Sequence, residues 1–223
     1  MPRLLGSSSR WVLRQNKDEY VKQAQKDGLA SRAAFKLTEI DAKFHFVQPR
    51  RGARLLDLGA SPGGFSQMAM RSFAPRLLCS VDLKPLAFSA LGDEHHILTG
   101  DANDAAIHRR IEELLARTVT AEIPRPLFDV VLSDLSPAVS GIVITDAARA
   151  TECVQIASTL CAKFLRNDGS LLAKFRMAGE AKSDVEALLK RDGFNRLRFT
   201  KPPSSRAESQ EIFVLADQFR RRP

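Results

Sequence analysis

Four aspartates stand where short apolar runs of the sequence end. Asp57, Asp82, Asp101 and Asp134 close or follow the runs in "ARLLDLG", "RLLCSVD", "HILTGD" and "LFDVVLSD". If these runs are parallel strands, their carboxyl ends meet at one edge of a sheet, which is where such sheets bind ligands. Carboxylates at that edge would accept hydrogen bonds from hydroxyl or amino groups of a ligand.

The loop after the first run narrows the choice of ligand. It reads Gly-Ala-Ser-Pro-Gly-Gly over residues 59–64, so a ligand can approach its backbone closely. The spacing is not G-x-G-x-x-G, and Pro62 lacks the N–H group that a pyrophosphate needs. S-adenosylmethionine, an adenosine ligand without phosphates, fits better. Gly59 and Pro62 would lie beside its methionine part, Asp82 on the ribose hydroxyls and Asp101 on the adenine amino group.

One lysine lies inside an apolar run. Lys174 belongs to "SLLAKF", where an unpaired ammonium group would be costly, so a partner or a chemical role is expected. Lys36 on an amphipathic helix and Glu211 at a strand start are, taken singly, compatible with ordinary surface residues. Asp134 taken singly is compatible with a turn cap.

The scaffold that positions these residues alternates strands with helices. The first strands are short continuous apolar runs, as expected where both faces of a sheet are covered. This predicts an α/β, Rossmann-like, doubly wound and mostly parallel sheet of seven strands. The last two strands, "FNRLRFT" and "QEIFVLA", have no helix between them and should be antiparallel. Ser31 is predicted to cap the helix "RAAFKLTEIDAKF", and Gly169 to end the long helix before "SLLAKF" in a left-handed conformation.

Length and composition exclude several classes. The 223 residues suit one α/β domain, and no apolar run approaches the ~20 residues of a membrane span. The three cysteines form no CxxC pair, which predicts reduced core or helix residues and no metal site. The pair His95-His96 is predicted to lie in a surface turn.

The basic charge lies at the two ends of the chain. Net charge is +7 over residues 1–54, −4 over 55–189 and +5 over 190–223. Lys and Arg contacts to phosphates supply most non-specific affinity for nucleic acids, so this division predicts a nucleic-acid ligand, with a solubilising excess of surface charge as the alternative. The candidate RNA contacts are Arg10, Arg14, Lys22, Arg32, Lys201 and Arg206. The N-terminus, basic and Ser-containing, fits either a mitochondrial presequence or an RNA-binding arm.

Six segments of the chain resemble the FtsJ-type ribosomal RNA 2′-O-ribose methyltransferases. The matching segments, in the family's order, are "SRAAFKLTEID", "LLDLGASPGGFSQ", "VDLKP", "SDLSP", "LLAKF" and "KPPSSRAESQEIFVLA". The resemblance implies a class I fold that uses S-adenosylmethionine. It implies a catalytic Lys-Asp-Lys-Glu set at Lys36, Asp134, Lys174 and Glu211. It implies cofactor contacts at Gly63, Phe65, Asp82, Asp101 and the strand end at Asp134.

The resemblance also implies a biological setting. The leading "SSSRWVLRQNKDEYVKQAQKDG" is most similar to the mitochondrial and related bacterial branch. The expected target is a uridine in the A-loop of large-subunit ribosomal RNA. The expected partners are the large-subunit precursor particle and its assembly factors, with no membrane, and the chain is expected to be a monomer outside the particle. The expected location is the mitochondrial matrix, with the bacterial cytoplasm as the alternative. The chain departs from the family at Ala30, where a basic residue is usual, and at Ala138, where Asn is usual.

The expected organisation has three parts: a basic arm at residues 1–30, the methyltransferase domain at 31–217 and a basic tail at 218–223. Lys174 is the candidate base for the ribose 2′-hydroxyl, its pKa lowered by the ammonium of Lys36 and the sulfonium charge. Asp134 and Glu211 would orient the lysines and the hydroxyl. The alternative is an assembly factor that binds ribosomal RNA with little or no catalysis. A messenger-RNA cap or transfer-RNA target would use the same chemistry, whereas a small-molecule or protein methyltransferase conflicts with the charge division.

Overall fold

The structure of the chain is a computed structural model that describes residues 18–47, 52–136, 143–177 and 179–221. The sequence predictions for Arg10, Arg14, Ala138 and the N-terminal presequence lie outside these residues.

Helices and strands mostly alternate along the described residues, except that two helices come first and that no helix separates the second strand from the third or the sixth from the seventh. The helices are α1 Glu19–Lys26, α2 Ala33–Phe44, α3 Gly64–Phe73, α4 Ala105–Ala116, α5 Val143–Phe164 and α6 Ala181–Arg191. The strands are β1 Arg54–Leu58, β2 Leu77–Asp82, β3 His95–Thr99, β4 Phe128–Ser133, β5 Leu165–Arg176, β6 Phe194–Thr200 and β7 Glu211–Phe219.

The strands form one seven-stranded sheet in the order β3-β2-β1-β4-β5-β7-β6. Strands β1 to β5 pair in parallel, and β7 pairs antiparallel with both β5 and β6. The doubly wound sheet with an antiparallel last strand is therefore confirmed. Its order reverses at β1, so the ends of β1 and β4 border the crevice in which such folds bind ligands.

Helices cover both faces of the sheet. Successive side chains of a strand point to opposite faces, so Leu56 and Leu58 join the core under α4, α5 and α6 while Leu55 joins the core under α2 and α3. All five residues of β1 are buried, which explains why its sequence is apolar without alternation.

Two predicted helix boundaries are wrong. Arg32, not Ser31, precedes α2 directly, and no side chain caps this helix; the Ser31 hydroxyl instead lies against α3, 2.3 Å from the ideal Cβ position of Gly64. Helix α5 ends at Phe164 because β5 starts at the next residue. Asp168, not Gly169, has the left-handed backbone, at φ 58°. It lies where the β4–β5 register shifts.

Other features bear on the remaining predictions. Strand β7 continues to Phe219, and α1 packs through Ala24 against Leu29 and Ala34; the three-part organisation stays a prediction. Within the described residues, no helix is both long and apolar enough to cross a membrane, and no cluster of three His, Cys, Asp or Glu side chains could hold a metal ion. Cys79 and Cys161 are buried and Cys153 is half-buried, all with free thiols.

Candidate active site

The glycine loop after β1 packs against the loops that follow β2 and β4. Gly59 has φ +71°, and a Cβ there would meet the backbone nitrogen of Leu135 at 2.7 Å. Gly63 has φ +120°, and a Cβ there would meet the ring of Phe88 at 2.1 Å. Both glycines are therefore required by backbone conformation and by close approach, which keeps the loop tight at the crevice.

The predicted cofactor acids hold the turns at the strand ends. Asp82 accepts hydrogen bonds from the backbone N–H of Ser61 (2.9 Å) and of Lys84 (2.8 Å), one on each carboxylate oxygen. Asp101 is exposed and accepts one from Asn103 N–H at 2.9 Å. Each carboxylate oxygen can accept a second hydrogen bond, so both side chains are fixed in place and retain acceptor capacity for a ligand.

Asp57 forms the end of a buried hydrogen-bonded chain beneath the loop. Its Oδ2 accepts from the Ser66 hydroxyl at 2.6 Å, which lies 2.7 Å from the Ser80 hydroxyl, itself 2.9 Å from His95 Nε2. His95 Nδ1 accepts a hydrogen bond from Leu91 N–H, so Nε2 carries the ring hydrogen and donates to the Ser80 hydroxyl. Ser80 then donates to Ser66, and Ser66 donates to Asp57. Asp57 Oδ1 has no hydrogen-bond partner among the described residues.

The surroundings of this hydrogen-bonded row shift the pKa values of Asp57 and His95, the residues at its two ends. Burial raises the pKa of Asp57 to about 7, and the charges of Asp134 and Asp82 act in the same direction although the Ser66 hydrogen bond opposes them. Burial, together with the neighbouring His96, lowers the pKa of His95 to about 4. The predicted surface turn at His95 is wrong. This residue starts β3 and is only 2% exposed, because its ring pairs with Ser80 under the sheet edge.

The ring of Phe65 does not face the crevice. It is 2% exposed and packs in the core, with its ring centroid 6.2 Å from that of Phe213. Any contact of Phe65 with a cofactor would therefore come from its backbone N–H, which lies in the first turn of α3 and has no partner within the helix.

The four residues of the predicted catalytic set lie together as two ion pairs. Lys174 Nζ lies 2.8 Å from Asp134 Oδ1 and donates a hydrogen bond to the Asp134 carbonyl oxygen at 3.1 Å. Lys36 Nζ lies 3.6 Å from Glu211 Oε2. The two pairs are linked through Phe213, which is opposite Lys174 in the β5–β7 register and carries Lys36 Nζ 5.6 Å above its ring. Both lysines are only 9% exposed.

The electrostatics of Lys174 differ from the sequence expectation. Burial lowers the pKa of Lys174, but Asp134 and Glu211 outweigh burial and the net shift is upward. Glu211 responds in the opposite sense: burial raises its pKa, and Lys174 and Lys36 together bring it below the usual value. The expected lowering of the Lys174 pKa is thus wrong for the ligand-free chain, because the nearest charges are carboxylates rather than the ammonium of Lys36.

A cavity of about 650 Å³ opens beside the predicted catalytic set. Its wall brings two predicted RNA contacts, Arg32 and Arg206, next to Lys36 and Glu211. The other described RNA candidates do not line it. Lys22 pairs with Glu19 at 2.6 Å on the exposed side of α1, and Lys201 donates to the carbonyl oxygens of Ala207 and Ser209 and so shapes the β6–β7 loop.

Three residues form contacts at the site that the sequence did not predict. The amide of Gln67 accepts from Ala30 N–H at 2.6 Å and donates to the Gly28 carbonyl at 3.3 Å, which ties α3 to the turn before α2. Gly64 lets α2 approach, since a Cβ there would meet Ala34 N at 3.1 Å. Asp18 pairs with Arg32 and Arg206. These partners are 14 to 188 residues apart, so local patterns could not reveal them.

The crevice at the glycine loop suits an uncharged adenosyl group with a cationic end. Asp82, Asp101 and Asp134 supply only acceptors, and Asp57 keeps a buried oxygen without a partner in the described part of the chain. A phosphate group would meet repulsion there, whereas ribose hydroxyls, an amino group and a positive charge would each find an acceptor. The residues present therefore fit S-adenosylmethionine.

Comparison with known proteins gives consistent results. Residues 29–219 match the FtsJ-like methyltransferase family. The chain is 36% identical over 215 residues to ribosomal RNA large subunit methyltransferase E of Coxiella burnetii, covering 95% of each chain. It is 37% identical to the protein of the same name from Zymomonas mobilis, covering 98% of this chain and 91% of that one. A crystal structure of a ribosomal RNA methyltransferase from Plasmodium falciparum has a TM-score of 0.70 at 21% identity, covering 86% of this chain and 100% of that one; at this identity it supports the fold alone.

Proposed function

The chain belongs to the FtsJ-like methyltransferase family, as its motifs predicted, and from that premise we propose that it methylates a ribose 2′-hydroxyl of large-subunit ribosomal RNA with S-adenosylmethionine. The relatives' shared name supports the RNA class. The proposed target is a uridine of the A-loop, modified while the large subunit assembles. The observation that carries the proposal is the buried Lys174–Asp134 pair, 2.8 Å apart at the edge of the acid-lined crevice.

The cofactor would be held by the residues of that crevice. Asp82 would bind the ribose hydroxyls and Asp101 the adenine amino group, while the backbone from Gly59 to Gly63 would follow the methionine part. S-adenosylmethionine would supply a methyl group on a positively charged sulfur. Asp82, which accepts from Ser61 N–H in the loop, and Asp134 after β4 are carboxylates whose negative charge would favour a cationic ligand.

Lys174 would accept the proton of the 2′-hydroxyl as the oxygen forms its bond to the methyl carbon. The oxygen supplies the electron pair of the new bond, the pair of the broken carbon–sulfur bond stays on sulfur, and the proton ends on Lys174 Nζ. Lys174 must first be neutral, although in the ligand-free chain Asp134 and Glu211 raise its pKa. Once Asp134 also faces a bound cation, it stabilises the ammonium form of Lys174 less, so the pKa of Lys174 falls.

The other catalytic candidates would position the reacting groups. Glu211 holds Lys36 at 3.6 Å, and its pKa is kept low by both lysines, so it stays charged and can fix their places. Lys36 faces the cavity between Arg32 and Glu211 and would contact the substrate nucleotide. Such fixed geometry contributes much of the rate in a single in-line transfer.

One observation favours the second candidate, an RNA-binding assembly factor without catalysis. A Lys174 whose pKa is raised is a poor proton acceptor until its surroundings change. Both candidates would bind the same precursor particle, so binding alone does not separate them.

Methyl transfer to purified particles separates the two functions. Large-subunit particles from cells lacking the protein would be incubated with radiolabelled S-adenosylmethionine and either the wild-type protein or Lys174→Ala. Label on a single 2′-oxygen of the RNA, detected as one position resistant to alkaline cleavage, is expected with the wild type only. A wild-type protein that binds the particles but transfers no label would refute the enzyme and leave the assembly factor.

A further inference from the structure

An ion-pair cluster joins three distant parts of the chain beside the 650 Å³ cavity. Asp18, just before α1, places its Oδ2 between two guanidinium groups: Nη1 of Arg32, and Nε of Arg206 at 3.0 Å. Arg32 immediately precedes α2, and Arg206 lies in the loop between β6 and β7. The Asp18 side chain is 9% exposed, against 15% for Arg32 and 27% for Arg206, so the carboxylate lies deepest.

The cluster has more positive charge and more donors than Asp18 can satisfy. Two guanidinium groups share one carboxylate. Burial lowers the pKa of Arg32, and the nearby charge of Arg206 lowers it further. Among the described residues, Arg206 Nη2 and the Ser205 hydroxyl have no hydrogen-bond partner. All these groups donate, so the ligand that would satisfy them is an anion with several oxygens.

The other acids near the cluster are less able to supply that anion. Glu39 already accepts from both the backbone N–H and the hydroxyl of Ser204, at 2.9 and 2.7 Å. Glu211 is paired with Lys36. Glu208 lines the same cavity but is exposed to solvent, where its charge is screened.

We propose that Arg32 and Arg206 form a binding site for a backbone phosphate of the substrate RNA, and that the carboxylate of Asp18 occupies this site in the RNA-free protein. The inference rests on the proposed function for the identity of the ligand. Two adjacent guanidinium groups suit a phosphodiester, whose two free oxygens have the same fork geometry as a carboxylate. The site lies on the same cavity wall as Lys36 and Glu211, so a phosphate bound there would place the adjoining nucleotide at the catalytic set.

Asp18 has a second task that allows a clean test. Its Oδ1 accepts from Tyr20 N–H at 3.1 Å and Val21 N–H at 3.4 Å, and so caps α1. Asn caps helices as well as Asp does, so Asp18→Asn keeps the cap and removes the charge that competes with phosphate. The variant keeps the cap and removes both the charge and the Oδ2 acceptor that hold Arg32 and Arg206.

The experiment measures binding of a short fluorescein-labelled single-stranded RNA at several KCl concentrations. Asp18→Asn should bind the RNA several-fold more tightly than wild type and steepen the dependence of log K on log salt by up to about one. Arg206→Gln should weaken binding and flatten that slope by about one. In the double variant Asp18→Asn with Arg206→Gln, most of the gain should be lost, since half of the phosphate site is missing.

Asp27→Asn is the matched control. It makes the same change of charge at the other end of α1, where Asp27 is exposed and its carboxylate accepts from the Gln23 amide. RNA affinity equal to wild type is expected. An Asp27→Asn gain as large as that of Asp18→Asn would overturn the proposal, because net charge alone would then explain both.

Thermal unfolding completes the test. If Asp18→Asn leaves RNA affinity and salt slope unchanged but lowers the melting temperature, the cluster is a structural bridge and the proposal is wrong. The binding assay needs no methyl transfer. Suppose that Asp18→Asn binds RNA more tightly but the wild type methylates no ribosomal RNA. The phosphate site would then be supported, and the proposed enzymatic function would be wrong.

Discussion

The proposed cofactor side and the proposed substrate side of the site are held together by different kinds of contact. On the cofactor side, Asp82 binds backbone N–H groups at Ser61 and Lys84, two to 21 residues away. On the substrate side, Asp18 meets Arg206 across 188 residues, and Glu39 meets Ser204 across 165. The first region is positioned by strand ends and their turns, whereas the second exists only after α1, α2 and the β6–β7 loop have come together.

The difference has an electrostatic consequence. Backbone hydrogen bonds to buried or half-buried carboxylates are little affected by salt, whereas ion pairs near the surface are screened by it. Cofactor affinity should therefore vary little with ionic strength and RNA affinity should vary strongly. Lys174 lies where the two regions meet, because it contacts Asp134 on the cofactor side and feels the charge of Glu211 on the substrate side.

Removing Lys174 should have the largest effect, and it should lower the rate of methyl transfer without changing cofactor affinity. Lys174→Ala deletes the proposed proton acceptor, so the rate of methyl transfer should fall by at least the ~10²–10⁴-fold typical of a lost general base. Cofactor affinity, measured by calorimetry, should stay close to that of wild type because the glycine loop at residues 59–64 and the side chain of Asp82 are untouched.

Lys163→Ala is the control for that change. Lys163 is an exposed lysine of α5 that pairs with Glu112 at 2.9 Å, away from the crevice, and its loss should leave the rate unchanged. Full activity of Lys174→Ala would show that the proposed catalytic roles are wrong, even though the fold is right.

A substitution at Gly59 should weaken cofactor binding most selectively. Gly59→Ala introduces a Cβ 2.7 Å from the Leu135 nitrogen and at φ +71°, so steric and backbone strain together should cost about 2–4 kcal/mol. Cofactor binding should weaken accordingly. Gly179→Ala has a similar φ of +53° but open space around its Cβ, so it should cost only about 1–2 kcal/mol of stability and leave cofactor affinity intact. Equal losses of cofactor affinity in both variants would contradict the close-packed loop.

The same contrast explains what could be read from the sequence. The sheet, its antiparallel last strand and the acids at the strand ends follow from apolar runs, turn residues and connection lengths, all of which are local. The Lys174 prediction was also local, since a lysine in an apolar strand needs a partner, and the structure supplies Asp134 at 2.8 Å.

The remainder depended on long-range packing. The upward shift of the Lys174 pKa arises from Asp134 and Glu211, which are 40 and 37 residues away in the chain. The prediction of a surface turn at His95 rests on the lack of a Cys or His at ligand spacing, whereas the partner of His95 is Ser80 on the neighbouring strand. The ion pairs of Asp18 and the hydrogen bonds of Gln67 likewise join segments that only the tertiary fold brings together.

The buried acid Asp57 should make stability depend on pH. Because burial raises its pKa in the folded chain to about 7, its contribution is fully present below the unfolded value of about 4 and is lost as the pH rises through about 7. Urea unfolding of the wild type should show this as a loss of up to about 1.4 kcal/mol per pH unit across that window. Asp57→Asn should flatten the curve, and Glu113→Gln, an exposed acid of α4, should not. A wild-type slope retained in Asp57→Asn would mean that other groups titrate.

The smallest expected effect concerns the link between the two regions, the side chain of Gln67. Gln67→Met keeps the volume of this 8%-exposed side chain and removes both hydrogen bonds to the turn before α2, leaving the Ala30 N–H without its acceptor, so about 1–2 kcal/mol of stability should be lost. The turn leads into the helix that carries Lys36, so KM for the ribosomal particle should rise while cofactor affinity stays constant. Gln155→Met, a change on the opposite face of the sheet, should alter neither KM for the particle nor cofactor affinity. A Gln67→Met variant that lost cofactor affinity in parallel with particle affinity would show that the two regions are one unit and would erase the distinction between them.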